Sequence, residues 1–376
     1  MPPGRRSAQL FNAAGAAGRL RASPLFAFGP SAAGPALRRG FLVAVPIGAA
    51  LAIEFGFDSP TQGAIASGAL LAGFPGLDAP AGPRTAWQAA TAPAIGLAAA
   101  LGILSSRSAP LAVLAMGLLG AAAGYCFSVS LRLAIAGLSV ALALVVSQGL
   151  FLPAGDALPA LLYGTAGGLL QAAWSLAIWA LADRAADDEA SGWNGSAAGA
   201  ALRANLSLRS HSFRHAIRFG AALAAGVAAY RLLGLREHGF WVPLTILFVM
   251  RPERDETSRR LVLRAVGTVL GLVVATAVAE TVGGDDLVVG LVLTAAAGFS
   301  FGLLTVQYAL FTAAITTYVV LLTDTLGEAA LDAAGQRALG TALGIAIAAL
   351  AFLLWPNPDE GEGRGRPAKP AAAPAR

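Results

Sequence analysis

The stretch RPERDETSRRLVLR, residues 251–264, gathers five arginines in fourteen positions. A guanidinium is permanently charged and presents a planar fork of donors that matches a carboxylate. Arg251, Arg260 and Arg264, with Arg218 from the earlier junction NLSLRSHSFRHAIRFG (205–220), could form a positive mouth that draws in anions. Their plainer use is a salt-bridged loop and attachment to lipid headgroups, since Glu253, Asp255 and Glu256 are interleaved with the arginines. Just upstream, HGFWVPLT (238–245) supplies Trp241 for stacking, Pro243 to bend a helix, Thr245 as a hydroxyl and His238 as a group that titrates near neutral pH. The aromatics there would equally serve as a belt at the membrane surface. Further on, Tyr308, Thr312 and Thr316 recur at every fourth residue, which places three hydroxyls on one face of a helix. Such threonines can also bond back to their own helix. No phosphate-binding glycine loop, G-x-S-x-G motif or Cys/His metal spacing accompanies these groups, so catalysis, a cofactor and a metal are not expected.

The elements that must position these residues are membrane helices. The chain has 376 residues, 56% hydrophobic and 12% charged, about half the charge of a typical soluble protein. No long period-two alternation suggests an outer-membrane barrel. In such a chain the net charge of +5 reports the placement of basic residues in a membrane, not nucleic-acid binding. The single cysteine, Cys126, reads as a small buried hydrophobe. Twelve apolar segments are expected, centred on 37–54, 61–74, 86–104, 109–127, 131–152, 159–182, 213–233, 239–250, 262–280, 285–304, 306–323 and 335–355. Residues 1–34 and 357–376 read as disordered cytoplasmic tails, and 183–212 as a cytoplasmic linker. Arg5-Arg6 resembles a twin-arginine signal, but no apolar core with a cleavage site follows it.

With alternating spans and an internal N-terminus, most arginines fall on the cytoplasmic side, and only Arg107, Arg231, Arg236 and Arg337 fall outside. The outer loops are acidic instead, with Asp58, Asp156, Glu280, Asp285, Asp286, Asp324, Glu328 and Asp332. This asymmetry supports twelve spans with both termini in the cytoplasm. Segment 239–250 is short: its twelve residues would cover about 18 Å of a hydrocarbon core of about 30 Å. A re-entrant hairpin there would put the following arginines outside, so the segment is expected to cross.

The halves read as copies, 35–182 and 213–356. LRRGFLVAVPIGAAL (37–51) lies over IRFGAALAAGVAAYR (217–231) at an offset of 180, and GTAGGLLQAAWSLAIW (164–179) over GTALGIAIAALAFLLW (340–355) at 176. Six spans per copy gives parallel repeats, related by an axis along the membrane normal. The short segment 239–250 then has a short, glycine-broken partner at 61–74, and interrupted segments at matching positions point to a transport site. The pairs Gly164/Gly168, Gly267/Gly271 and Gly340/Gly344 have the spacing for close helix packing.

The order Phe213-Arg214-His215-Ala216-x-Arg218, His238-Gly239-x-Trp241-Val242-x-Leu244-Thr245, Arg251-Pro252, the basic run and Arg264-x-x-Gly267-Thr268-x-x-Gly271 resembles the fusaric-acid-resistance-like family. The specific match covers 205–271, and the two six-helix halves extend it over about 36–356. The resemblance implies a bacterial inner-membrane protein linked to efflux of aromatic carboxylates. Many members carry a large cytoplasmic domain after each half, where this chain has a short linker and a small tail.

The resulting expectation is an all-α polytopic membrane protein, not an enzyme, that exports small organic anions, aromatic carboxylates among them. Substrate would bind between the repeats near 61–74 and 239–250, against Trp241, Pro243, Thr245, Tyr308 and Thr312, with Arg218, Arg251, Arg260 and Arg264 as the inner mouth. The expected partners are the anion and the lipid bilayer, with a second copy or an accessory efflux subunit open and no nucleic acid. A passive anion channel and a non-transporting envelope scaffold are the alternatives.

Overall fold

A computed structural model describes residues 30–56, 63–181, 195–235, 239–282, 285–304, 306–324 and 330–355. Residues 1–29 and 357–376 of the expected tails, 183–194 of the expected linker, and His238 lie outside the described residues. The first half forms α1 (Pro30–Gly56), α2 (Ala64–Gly73), α3 (Ala81–Ser106), α4 (Ala109–Tyr125), α5 (Leu131–Gly149) and α6 (Ala157–Leu181). A short helix, α7 (Gly195–Asn205), follows. The second half forms α8 (His211–Leu232), α9 (Trp241–Val249), α10 (Arg254–Val282), α11 (Asp286–Leu303), α12 (Tyr308–Asp324) and α13 (Ala330–Leu354). No strand occurs among the described residues.

Each of the twelve apolar segments therefore holds a helix, but they are not alike. Eight described helices are long and apolar enough to cross a membrane, by length and composition: α1, α3, α4, α5, α6, α10, α11 and α13. Their outer faces carry exposed leucines and valines in helical register, such as Leu97, Leu101 and Leu104 on α3 and Val262, Val266, Val269 and Val273 on α10. In water such stripes would be an aggregation hazard; against acyl chains they are the expected surface.

The short helices α2 and α9 occupy the opposite environment. α9 has 9 residues, about 13.5 Å of helix, and all but Phe248 are buried. Its neighbours are α13, α8, α10 and α5. A helix too short to span leaves backbone groups that lipid cannot satisfy, so it must be wrapped by protein. α2 is held the same way, by α6, α1, α3 and α5. Pro243 does not bend a span. It falls in the first turn of α9, where the missing N–H has no intrahelical partner to lose and the fixed φ starts the helix.

The two halves are interleaved. α1 packs along α11, and α4 packs along α8. At the first crossing a Cβ on Gly40 would collide with the backbone of Gly298 and Gly302; at the second, a Cβ on Gly220 would collide with the backbone of Gly117 and Ala121. Only glycine permits so close an approach. One buried apolar cluster accordingly joins residues of α3, α4 and α5 with residues of α8, α9 and α13. The other joins α1 and α2 with α10, α11 and α12.

Candidate functional site

The turn from α9 into α10 is tied by Thr257. Its hydroxyl accepts from the Arg251 N–H at 2.9 Å and donates to the Glu253 carbonyl at 3.0 Å. This fixes where α10 begins, and so where Arg260 and Arg264, one and two turns on, face the second-half interior. Arg260 lies over the Tyr308 ring at 4.5 Å and pairs with Glu256 at 2.6 Å. Arg264 is 1% exposed, sits 4.8 Å from the centre of the Phe248 ring and interacts with the Tyr308 hydroxyl. That hydroxyl donates to the Phe248 carbonyl at 3.0 Å, linking α12 to α9.

One level further along the same helices stands a second buried cation, Arg337 of α13, also 1% exposed. Its guanidinium carbon lies 3.8 Å from the centre of the Trp241 ring, and Nη2 donates to the Thr316 hydroxyl at 2.8 Å. The charges of Arg264 and Arg337 oppose one another. Among the described residues no ion pair neutralises either. Nε and Nη1 of both have no hydrogen-bond partner, nor do Trp241 Nε1 and the hydroxyls of Thr245, Thr268 and Thr312. An unmade buried hydrogen bond costs about 1–3 kcal/mol, and a buried unpaired charge more. Four helices thus place a donor-rich, cationic set with aromatic faces inside the protein, and what would satisfy it is an acceptor carrying negative charge.

The glycine pairs make this possible. Gly267 and Gly271 of α10 pack directly on Thr312 and Thr316, and Gly340 and Gly344 of α13 pack on Trp241 and Thr245. Any side chain at these four positions would push those groups out of place.

The other expected residues divide. Pro243 is buried against Gly226 of α8. Arg218 donates to the carbonyls of Trp355 at 3.0 Å and Pro252 at 3.5 Å and lies over Phe352. Arg251 donates to the Met250 and Leu247 carbonyls at 2.7 and 3.4 Å, capping the negative C-terminal end of α9. Burial, and then the neighbouring charge of Arg260, lower Arg251 to about 9, still charged at neutral pH. Arg218 and Arg251 therefore serve helix ends, while Arg260 and Arg264 join the interior set. His215 is wholly buried between Phe127 and Phe219, and His211 meets the Pro252 carbonyl at 3.1 Å. No group of three His, Cys, Asp or Glu residues that could hold a metal exists among the described residues.

Two placements differ from expectation. The interior set gathers among α9, α10, α12 and α13, all of the second half, and not between the halves. Arg337, counted to an outer loop, is a central buried residue. Charge counting assigns an arginine to the nearest loop, whereas this one is drawn inward by the Trp241 face and the Thr316 hydroxyl.

Residues 223–351 match the family model described as fusaric acid resistance protein-like. Most of the second half of the chain is thus similar to that family. That segment contains every residue of the interior set and excludes Arg218. The chain is 38% identical over 147 residues to the inner membrane protein YccS of Escherichia coli K12, a match covering 39% of this chain and 20% of YccS. It is 32% identical over 158 residues to the protein ORF2 of Neisseria gonorrhoeae, covering 42% and 37% of the two chains. A Haemophilus influenzae protein is 32% identical over 161 residues, 42% of this chain and 22% of that one. The match thus spans between about a fifth and two-fifths of these relatives. No solved structure matches the chain.

Proposed function

We propose that this fusaric acid resistance protein-like chain is a bacterial inner-membrane transporter that exports small organic anions, aromatic carboxylates foremost. The observation that carries the reading is the pair of buried guanidinium groups, Arg264 and Arg337, with unused donors and no acidic partner among the described residues. The carboxylate would bridge the two cations. Trp241 and Phe248, which carry the two guanidinium groups on their rings, would border the aromatic part of the substrate, and Thr245 and Thr312 would supply further hydrogen bonds. Arg260, partly exposed and paired with Glu256, stands on the route from the end carrying the basic turn. An anion leaving the cytoplasm would meet that end first if both termini are internal.

The same reading takes the halves as parallel repeats. In its support, α1 meets α11 and α4 meets α8, which are the first and fourth helices of opposite halves in both cases. Gly40 and Gly220, the contact glycines of those crossings, are separated by the offset of 180 that also relates Arg38 to Arg218 and Arg84 to Arg264. Such an arrangement gives two bodies that can rock against each other.

The test is a retention and growth screen with benzoate, hydroxybenzoates and other aromatic acids in cells lacking or overproducing the protein. Lower retention on overproduction, lost with Arg264→Gln, is expected. Unaltered retention of every acid, with an altered envelope in the deletion strain, would favour a scaffold. Ionic current from the purified protein in a planar bilayer without any coupling gradient would favour a channel.

A further inference from the structure

A second cationic site lies in the first half, away from the interior set. The start of α1 and the facing surfaces of α3 and α6 enclose a cleft of about 530 Å³, lined by Gly34, Pro35, Arg38, Arg39, Arg84 and the apolar pair Leu42 and Ile178. Arg84 is 7% exposed, a depth at which a guanidinium is normally paired. Its Nη2 donates to the Ala79 carbonyl at 2.9 Å, and its Nε has no partner. Arg39 reaches the Leu77 carbonyl at 3.5 Å, and its charge opposes that of Arg84. Among the described residues the carboxylate nearby is Asp78, which Arg132 engages at 3.0 Å. Among the described residues, four arginines around this cleft face one aspartate. Like charges so gathered repel, and a bound anion relieves them.

The walls indicate which anion. Leu42 is 43% exposed, and Val45, one turn further along α1, is exposed too. On α6, Leu169, Leu170, Leu176 and Leu181 are exposed. The cleft therefore opens onto apolar helix surfaces suited to acyl chains, with its arginines at one end. A free phosphate would use the arginines alone; a phospholipid would use both. The corresponding place in the second half is closed: Arg218, at the offset of 180 from Arg38, is taken up by the Trp355 and Pro252 carbonyls and covered by Phe352.

We propose that the cleft of Arg38, Arg39 and Arg84 binds the phosphodiester headgroup of an anionic phospholipid. The chain is purified whole in mild detergent, offered phosphatidylglycerol or phosphatidylcholine, and the retained lipid is counted by native mass spectrometry. Wild type should retain phosphatidylglycerol over phosphatidylcholine. The double variant Arg38→Gln/Arg39→Gln, at exposed positions that do not threaten folding, should lower phosphatidylglycerol affinity by about 30-fold. Arg107→Gln, an exposed arginine at the opposite end of α3, should change nothing. Equal retention of the two lipids by wild type, or equal phosphatidylglycerol affinity in the double variant and the Arg107→Gln control, overturns the proposal. Displacement of the retained lipid by inorganic phosphate or glycerol 3-phosphate at matched concentration would assign the arginines to a soluble phosphate and also overturn it.

Discussion

Replacing Arg337 by methionine separates a binding role from a structural one, because the two predict opposite results. Holding an unneutralised cation inside the protein costs several kcal/mol. The charged hydrogen bond to Thr316 offsets about 1.5–3 kcal/mol of this, and the contact with the Trp241 face about 2. These terms nearly cancel, so an apolar side chain of similar length should leave stability within about 1–2 kcal/mol of wild type. Binding should behave differently. Removing one charged partner of a buried, hydrogen-bonded pair costs about 2–5 kcal/mol, which at about 1.4 kcal/mol per decade is 30-fold or more in affinity. The assay is equilibrium binding of labelled benzoate to purified protein, with thermal unfolding of the same samples. Arg337→Met should unfold near the wild-type temperature and bind benzoate on the order of 100-fold more weakly. A well-folded variant with unchanged affinity would refute the assignment of Arg337 to an anion site, and so would a variant that fails to fold while Thr316→Val folds normally.

Other expectations follow from the same geometry. Arg260→Gln and Arg264→Gln together should reduce export of the aromatic acid at normal protein levels, with Arg264→Gln alone giving most of the loss, as read by cellular retention. Thr312→Val removes a hydroxyl with no protein partner, so thermal stability should hold or rise slightly while benzoate affinity falls about fivefold, the value of one hydrogen bond of about 1 kcal/mol. Gly40→Leu and Gly220→Leu each force a side chain into the backbone of the opposite half, and both should abolish monodisperse protein in size-exclusion chromatography, whereas Gly34→Leu, with nothing near it, should not.

The helices were legible because apolar runs in a chain this poor in charge can only be helical in lipid, and every expected segment holds one. What length alone could not settle was which of them meet lipid. α9 and α2 are as apolar as the spanning helices, and their burial becomes visible only once their neighbours surround them. The hydroxyl face of α12 could be read from the spacing of Tyr308, Thr312 and Thr316, since helical period fixes a shared face. Arg337 could not. A lone arginine at the edge of an apolar run looks like a loop anchor, and only the three-dimensional meeting of α13 with α9 brings it to Trp241. Arg218 and Arg251, whose density of charge suggested a mouth, donate to carbonyls at helix ends, contacts that the sequence did not show. Arg84 carried a usable signal, its offset of 180 from Arg264, which a comparison of the two halves at polar positions would have found.

In the proposed mechanism the interior of the second half recognises a carboxylate through Arg264 and Arg337. The most direct test is exchange of labelled benzoate across proteoliposomes at alkaline pH, where the acid is ionised and crosses bare lipid slowly. The wild-type protein should give saturable exchange that falls to the empty-vesicle rate in Arg264→Gln/Arg337→Met. Exchange by that double variant at the wild-type rate would contradict it.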